Sequence, residues 1–173
     1  MKISASDVVY TGEIAPPTNC TTNAHDVVEA ARLQARLSSQ QSSPCTSRVG
    51  ELSDDIVPSV SIDEGAHKYV LITACAPRAP NSSSRKTFVY SKRGAEYHRN
   101  VAEHFLPMLE RSGYYDIRIT GGGRIIRDTN NKYIKIFGYS YGFGRADHQL
   151  AVDIVRESAL FDGYNVHWSN DGY

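Results

Sequence analysis

The ten residues "HKYVLITACA" (67–76) constrain the fold more than any other stretch of this chain. A run so rich in β-branched and apolar side chains reads as a buried strand. The rest of the chain must therefore provide a sheet around it and elements to cover that sheet. "DDIVPSVSID" (54–63) reads as an edge strand, because Pro58 lacks the N–H that a central ladder needs. "KTFVYS" (86–91) is a short strand after the loop "PRAPNSSSR". "AEYHRNVAEHFLPMLERSG" (95–113) is helical, with Ala95, His98, Ala102, Phe105 and Leu109 on one stripe. Pro107 inside it is expected to kink the helix or end its regular part early. "YYDIRIT" alternates as a strand, and "GGRIIRDTNNKYIKIFGYS" reads as two strands joined by the polar turn "DTNNK". "RADHQLAVDIVRESALFDG" is a second helix beginning near Ala146 and closed by Gly163. "YNVHWSN" is a last strand. Strands with two separated helices predict a mixed sheet in an α/β (α+β) layer fold.

The first 54 residues are different. "APPTNCTTN" and "LSSQQSSPCTS" are Ser/Thr/Gln/Pro-rich and cannot support a core. Between them "AHDVVEAARLQARL" places Val27, Ala30, Ala31, Leu33 and Leu37 near a helical stripe, with Asn23 as a cap and Asp26 three residues on. The expectation is an extension over 1–54, largely disordered, with a short helix over 25–37, preceding a domain over 55–173. The alternative is a short docking helix, for a partner or for the domain itself.

The chain carries 19 basic and 19 acidic residues, so no global field draws it to nucleic acid or to an anionic membrane. Any anion site has to be built locally. Cys20, Cys45 and Cys75 are too few and too widely spaced for a disulfide framework or a zinc site, and fit reduced thiols in a cytoplasmic protein, with the nucleus also open to it. The expectation is a monomer with no metal, no cofactor, no nucleic-acid partner and no membrane partner. No apolar run approaches the roughly 20 residues of a membrane span.

"FGYSYGFG" (137–144) contains G-x-S-x-G, the pattern of a hydrolase nucleophile elbow, with Ser140 in the nucleophile's place. An elbow needs strand, sharp turn and helix in immediate succession, and here "GFGRAD" intervenes. The roughly 120 residues after position 54 also fall short of a hydrolase sheet. The second reading is a glycine-rich loop before a helix, whose N–H groups at Ser140, Tyr141 and Gly142 cradle an anion. A ligand-free connection competes with both.

His98 lies near the start of its helix beside Tyr97 and Glu96, where a helix N-terminus favours the neutral imidazole of a base or nucleophile. The plain alternative is a buried, satisfied histidine. Arg124 follows three glycines and offers either an exposed strand arginine or a two-point phosphate ligand. Lys68 opens the buried strand and either snorkels to solvent or projects into a cleft. His148, in the first turn of the last helix, reads as exposed or as a phosphate neighbour.

"HKYVLI", "AEYH", "GGGRI", "GYSYGFGRADH" and the terminal "WSNDGY" together resemble the protein histidine phosphatase, or Janus, family, over roughly Asp55 to Tyr173. The resemblance implies a small mixed sheet with a helix on each side. It implies metal-independent hydrolysis of the P–N bond of phosphohistidine in proteins, which would be the chain's partners as substrates. It places the essential histidine at His98, as base or as phosphorylated nucleophile, and the phosphate cradle at Ser140, Tyr141 and Gly142. Lys68 and Arg124 match its substrate and phosphate contacts, and His148 its histidine after the glycine loop. Tyr97 is a possible further contact. The chain departs from the family at Arg127, Tyr141 and Arg145, where relatives carry histidine, smaller or flexible apolar residues, and proline. A catalytically silent anion-binding module of the same type is the alternative, with a serine hydrolase at Ser140 more remote.

Overall fold

A computed structural model describes residues 24–40, 57–77, 85–170 and 172. Six strands form one sheet in the order β1-β3-β2-β4-β5-β6. They are β1 (Val60–Ser61), β2 (Gly65–Cys75), β3 (Arg85–Ser91), β4 (Tyr115–Asp128), β5 (Tyr133–Phe137) and β6 (Asn165–Trp168). The outermost pairs, β1–β3 and β5–β6, are parallel, and the three inner pairs are antiparallel. The sheet is therefore mixed, with "HKYVLITACA" at its centre between β3 and β4. β1 stands at the edge, as expected, with Pro58 two residues before it.

Alternation on β2 and β3 sends side chains to two cores. Val70, Ile72, Phe88 and Tyr90 face one with helix α2 (His98–Arg111), contributing Val101, Phe105, Leu106 and Leu109. Tyr69, Leu71 and Val89 face the other with helix α3 (His148–Glu157), contributing Ala151, Val152 and Val155. One predicted helix thus lies on each side.

Four local expectations change. α2 starts at His98, three residues later than the stripe suggests, because Tyr97 is extended (φ −126°, ψ 157°) and caps it. The helix does not end early at Pro107: Leu106 and Leu109, on both sides of the proline, are fully buried and hold the last turn. α3 begins at His148 rather than near Ala146, fixed by the Asp147 carboxylate accepting from the Leu150 N–H at 3.0 Å. The stretches "YYDIRIT" and "GGRII" are a single strand, β4. Its pairing with β2 shifts register between Leu71 and Ile72, opposite Gly121 and Ile119, so Thr120 forms the irregularity where a break was expected.

The largest difference is the N-terminal helix, α1 (Ala24–Ser39). It does not stand away from the domain. Ala30, Leu33 and Leu37 are buried in the same core as Val101, Phe105 and Ile119, on the α2 face. Val27 and Ala31 are exposed, so three of the five stripe residues are buried. Burial of the two leucines alone is worth roughly 1.5–3 kcal/mol each, before the cost of ordering the helix. The Asn23 cap and the expected boundary at residue 55 lie outside the described residues.

Candidate active site

Three consecutive glycines on β4 make the site geometrically possible. A Cβ at Gly122 would lie 2.9 Å from His98 Cδ2 and 3.1 Å from Ser140 Cβ. A Cβ at Gly123 would lie 2.6 Å from the Phe137 carbonyl oxygen and 3.0 Å from His148 Cε1, and at Gly121 2.6 Å from the Ala146 backbone. The strand surrenders its side chains so that the start of α2, the loop after β5 and the start of α3 can all close on it.

His98 is the first residue of α2 and only 4% exposed. Its Nε2–H donates to the Gly123 carbonyl at 2.9 Å. That bond fixes the tautomer, so the lone pair resides on Nδ1, which has no hydrogen bond among the described residues. Burial pushes the ring's pKa down to about 4; the Gly123 bond opposes the fall, and Lys68 and Arg124 add to it. The imidazole is thus neutral at physiological pH, with two cations within electrostatic reach. Lys68 and Arg124 are themselves paired across β2 and β4 in the antiparallel register, so one sheet position brings both to the mouth of the site.

The loop carrying "GYSYGFG" is closed on itself. The Ser140 N–H donates to the Gly144 carbonyl at 3.1 Å, and the Gly144 N–H returns to the Ser140 carbonyl at 2.8 Å. The Ser140 hydroxyl accepts from the Phe143 N–H at 3.2 Å. With 1% exposure and its oxygen engaged in the loop, Ser140 is built as a brace. Its backbone N–H is spent inside the loop, and the Gly142 N–H has no acceptor among the described residues. Tyr141 is exposed at the loop's tip, its hydroxyl 3.1 Å from that of Tyr139.

His148 departs from its sequence reading. It is buried, and both ring nitrogens are committed: Nε2–H donates to the Gly138 carbonyl at 2.9 Å, and Nδ1 accepts from the Tyr69 hydroxyl at 2.6 Å. It anchors the start of the loop and has no nitrogen left for phosphate or a leaving group. Tyr69, which the sequence reading did not single out, is the partner that occupies it. Tyr97 supplies the cap of α2, its N–H donating to Asn100 Oδ1 at 3.1 Å, and its ring lies 5.7 Å from the Arg99 guanidinium.

Of the departures, Arg127 is three residues beyond Arg124 on β4. It donates to the Ile62 carbonyl at 2.6 Å, pairs with Glu64 and lies over the Phe161 ring. It braces the far end of the sheet. Arg145 reaches Asn170 at 3.4 Å. Two residues that the sequence did not assign to the site also border it: Arg99, which pairs with Asp26 of α1 at 3.2 Å, and Ala30, whose Cβ would sit 2.6 Å from a Cβ at Gly142. A charged residue directly after His98 was the one available signal for the first. Among the described residues, no helix is long and apolar enough to cross a membrane, and no group of His, Cys, Asp or Glu is placed to hold a metal ion.

The profile of the Janus/Ocnus family (Ocnus) matches residues 55–165. The "14 kDa phosphohistidine phosphatase" of Homo sapiens is 37% identical over 122 residues, covering 68% of this chain and 94% of the human protein. The protein of that name from Sus scrofa is 35% identical over 120 residues, covering 93% of its own length. The "Sex-regulated protein janus-A" of Drosophila melanogaster is 30% identical over 118 residues, 82% of its length. In each case the same 68% of this chain is matched.

Proposed function

This chain belongs to the Janus/Ocnus family, and from that premise we propose that it hydrolyses the P–N bond of phosphohistidine in proteins without a metal ion. The observation that carries the reading is His98: a neutral imidazole, locked by Gly123, with its Nδ1 lone pair uncommitted and two cations nearby. Lys68 and Arg124 neutralise the phosphoryl oxygens, and the Gly142 N–H with the loop tip around Tyr141 closes the remaining side. The helix N-terminus at His98 adds partial positive charge.

The chemistry then requires little of the protein beyond position and charge. His98 Nδ1 either takes a proton from water, whose oxygen bonds to phosphorus, or forms the N–P bond itself. In both routes the P–N bond to the substrate breaks, its electrons stay on the departing imidazole, and that nitrogen picks up a proton. In the second route water then cleaves the His98–phosphorus bond. Ser140, buried and occupied by Phe143, stabilises the loop.

The test is release of inorganic phosphate from a phosphohistidine peptide by the full chain, with and without EDTA. Release at equal rates is expected. Binding of the peptide without turnover would replace the phosphatase with an anion-recognition module, and loss of turnover in EDTA would overturn the metal-free reading.

A further inference from the structure

α1 reaches the site from outside the region matched to the family. Gly142 shows why this is built in. Its backbone is not among the residues with positive φ, so its conformation does not require glycine. A Cβ there would collide with Ala30 Cβ at 2.6 Å, so the missing side chain makes room for α1. Ala30, Leu33 and Leu37 pack in one core with Phe143, the residue after Gly142. The helix rests on the loop that closes the site.

The same docking delivers a carboxylate. Asp26 is 7% exposed, with Oδ1 at 3.2 Å from Arg99 Nε. The geometry of that pair falls short of a hydrogen bond, and neither atom has a hydrogen-bond partner among the described residues. Two buried polar atoms therefore face each other as an ion pair of imperfect geometry, in a place where burial costs both. Burial raises the carboxyl's pKa, and Arg99 and Lys68 lower it in part, so Asp26 shares with His98 the field of one lysine. Arg99 follows His98 in the first turn of α2. A buried anion facing that turn and Lys68 stands where an incoming phosphoryl anion would be drawn.

We propose that Arg99 is a further phosphate-binding cation of the site and that Asp26, carried in on α1, competes with the substrate's phosphoryl group for it. Arg99 can meet a phosphoryl group in two-point fashion, which its separate pairings with Asp26 at 3.2 Å and with Glu103 at 3.7 Å do not use. The N-terminal helix is thus an internal competitor: docked, it weakens phosphate binding, and substrate displaces the carboxylate from the guanidinium. This rests on the region beside His98 being a phosphoryl site, and the test separates the two.

Titrating inorganic phosphate into the full-length wild type, Asp26→Asn, Arg99→Gln and Leu33→Asp proteins reads the competition without turnover. Asp26→Asn should tighten phosphate binding by about tenfold, and Arg99→Gln should weaken it by about tenfold, the scale of one charge-assisted hydrogen bond. Leu33→Asp, which removes the apolar anchor of α1, should move affinity in the same direction as Asp26→Asn. On a phosphohistidine peptide the shifts should appear in KM, with kcat little changed. Unchanged or weaker phosphate binding in Asp26→Asn overturns the proposal, as does unchanged binding in Arg99→Gln. A chain that shows these binding shifts but hydrolyses nothing keeps the proposal and loses the phosphatase reading. If no variant binds phosphate at all, both fall.

Discussion

Two histidines open two helices, His98 on α2 and His148 on α3. Both are nearly fully buried, and both donate an Nε2–H to a backbone carbonyl at 2.9 Å. Both have pKa values depressed chiefly by burial. They differ at the other ring nitrogen. Nδ1 of His148 receives the Tyr69 hydroxyl, whereas Nδ1 of His98 has no hydrogen-bond partner among the described residues and faces the influence of Lys68 and Arg124. Helix position, burial and tautomer are the same for a structural and for a candidate reactive histidine. What separates them is whether the second nitrogen is occupied.

The widest separation should come from the pair His98→Ala and His148→Ala. The first removes the proposed base or nucleophile and should lower kcat/KM by at least ~10²–10⁴-fold in a folded protein. The second leaves the Tyr69 hydroxyl and Gly138 carbonyl without their partner, costing about 1–3 kcal/mol of stability, with a far smaller loss of turnover per folded molecule. Circular dichroism melts and steady-state kinetics on both variants read this. Equal catalytic losses would mean that the occupied nitrogen does not exclude His148 from the chemistry.

Tyr69→Phe makes a finer cut. It deletes one hydroxyl and gives His148 an uncommitted Nδ1, as His98 has, at a stability cost of about 1 kcal/mol. Activity should remain near wild type, because His148 lies against Gly123 from the α3 side and not at the start of α2. A large change in kcat would show that the Tyr69–His148–Gly138 chain sets the loop's working shape.

The smallest effect is an absence of titration. A proton NMR titration of the ring of His98 should find a midpoint near 4 rather than 6.5. Since both histidines titrate lower folded than unfolded, the unfolded chain takes up protons first as pH falls. The stability they allow is therefore present above about pH 6.5 and is lost as pH drops toward the folded values. Turnover should be flat with respect to His98 between about pH 5.5 and 8, failing only as the ring protonates near 4. An inflection near 6.5 would mean a solvated ring.

The sequence reading left His148 exposed or beside a phosphate, and what buries it is not local in sequence. Tyr69 and His148 are 79 residues apart, and they meet where the start of α3 packs against Gly123, the β4 partner of Tyr69 on β2. The buried strand, the edge strand with Pro58 and the two flanking helices were legible because each rests on local pattern. The docking of α1 was not: its stripe is Ala30, Leu33 and Leu37, and its fit depends on the missing Cβ of Gly142, more than a hundred residues away. The early end that Pro107 suggested does not occur, because Leu106 and Leu109, fully buried on both sides of it, hold the last turn. Ser140 is buried within its loop, and the use of its own N–H by Gly144 could not be read from a glycine-rich pattern.

The three glycines of β4 have a consequence for how the molecule folds. A strand segment without side chains contributes nothing to early apolar collapse and is the most conformationally free part of the unfolded chain. β2 and β4 can zip from either flank, through Ile117 and Ile119 or through Ile125, before that segment is held. It is fixed only when His98 arrives from 25 residues upstream and Ala146 and His148 from downstream. The groups of the candidate site are therefore expected to come together late in folding, after both cores have closed. Recovery of turnover after dilution from denaturant should lag recovery of the sheet's signal, making activity the strictest measure of a completed native state.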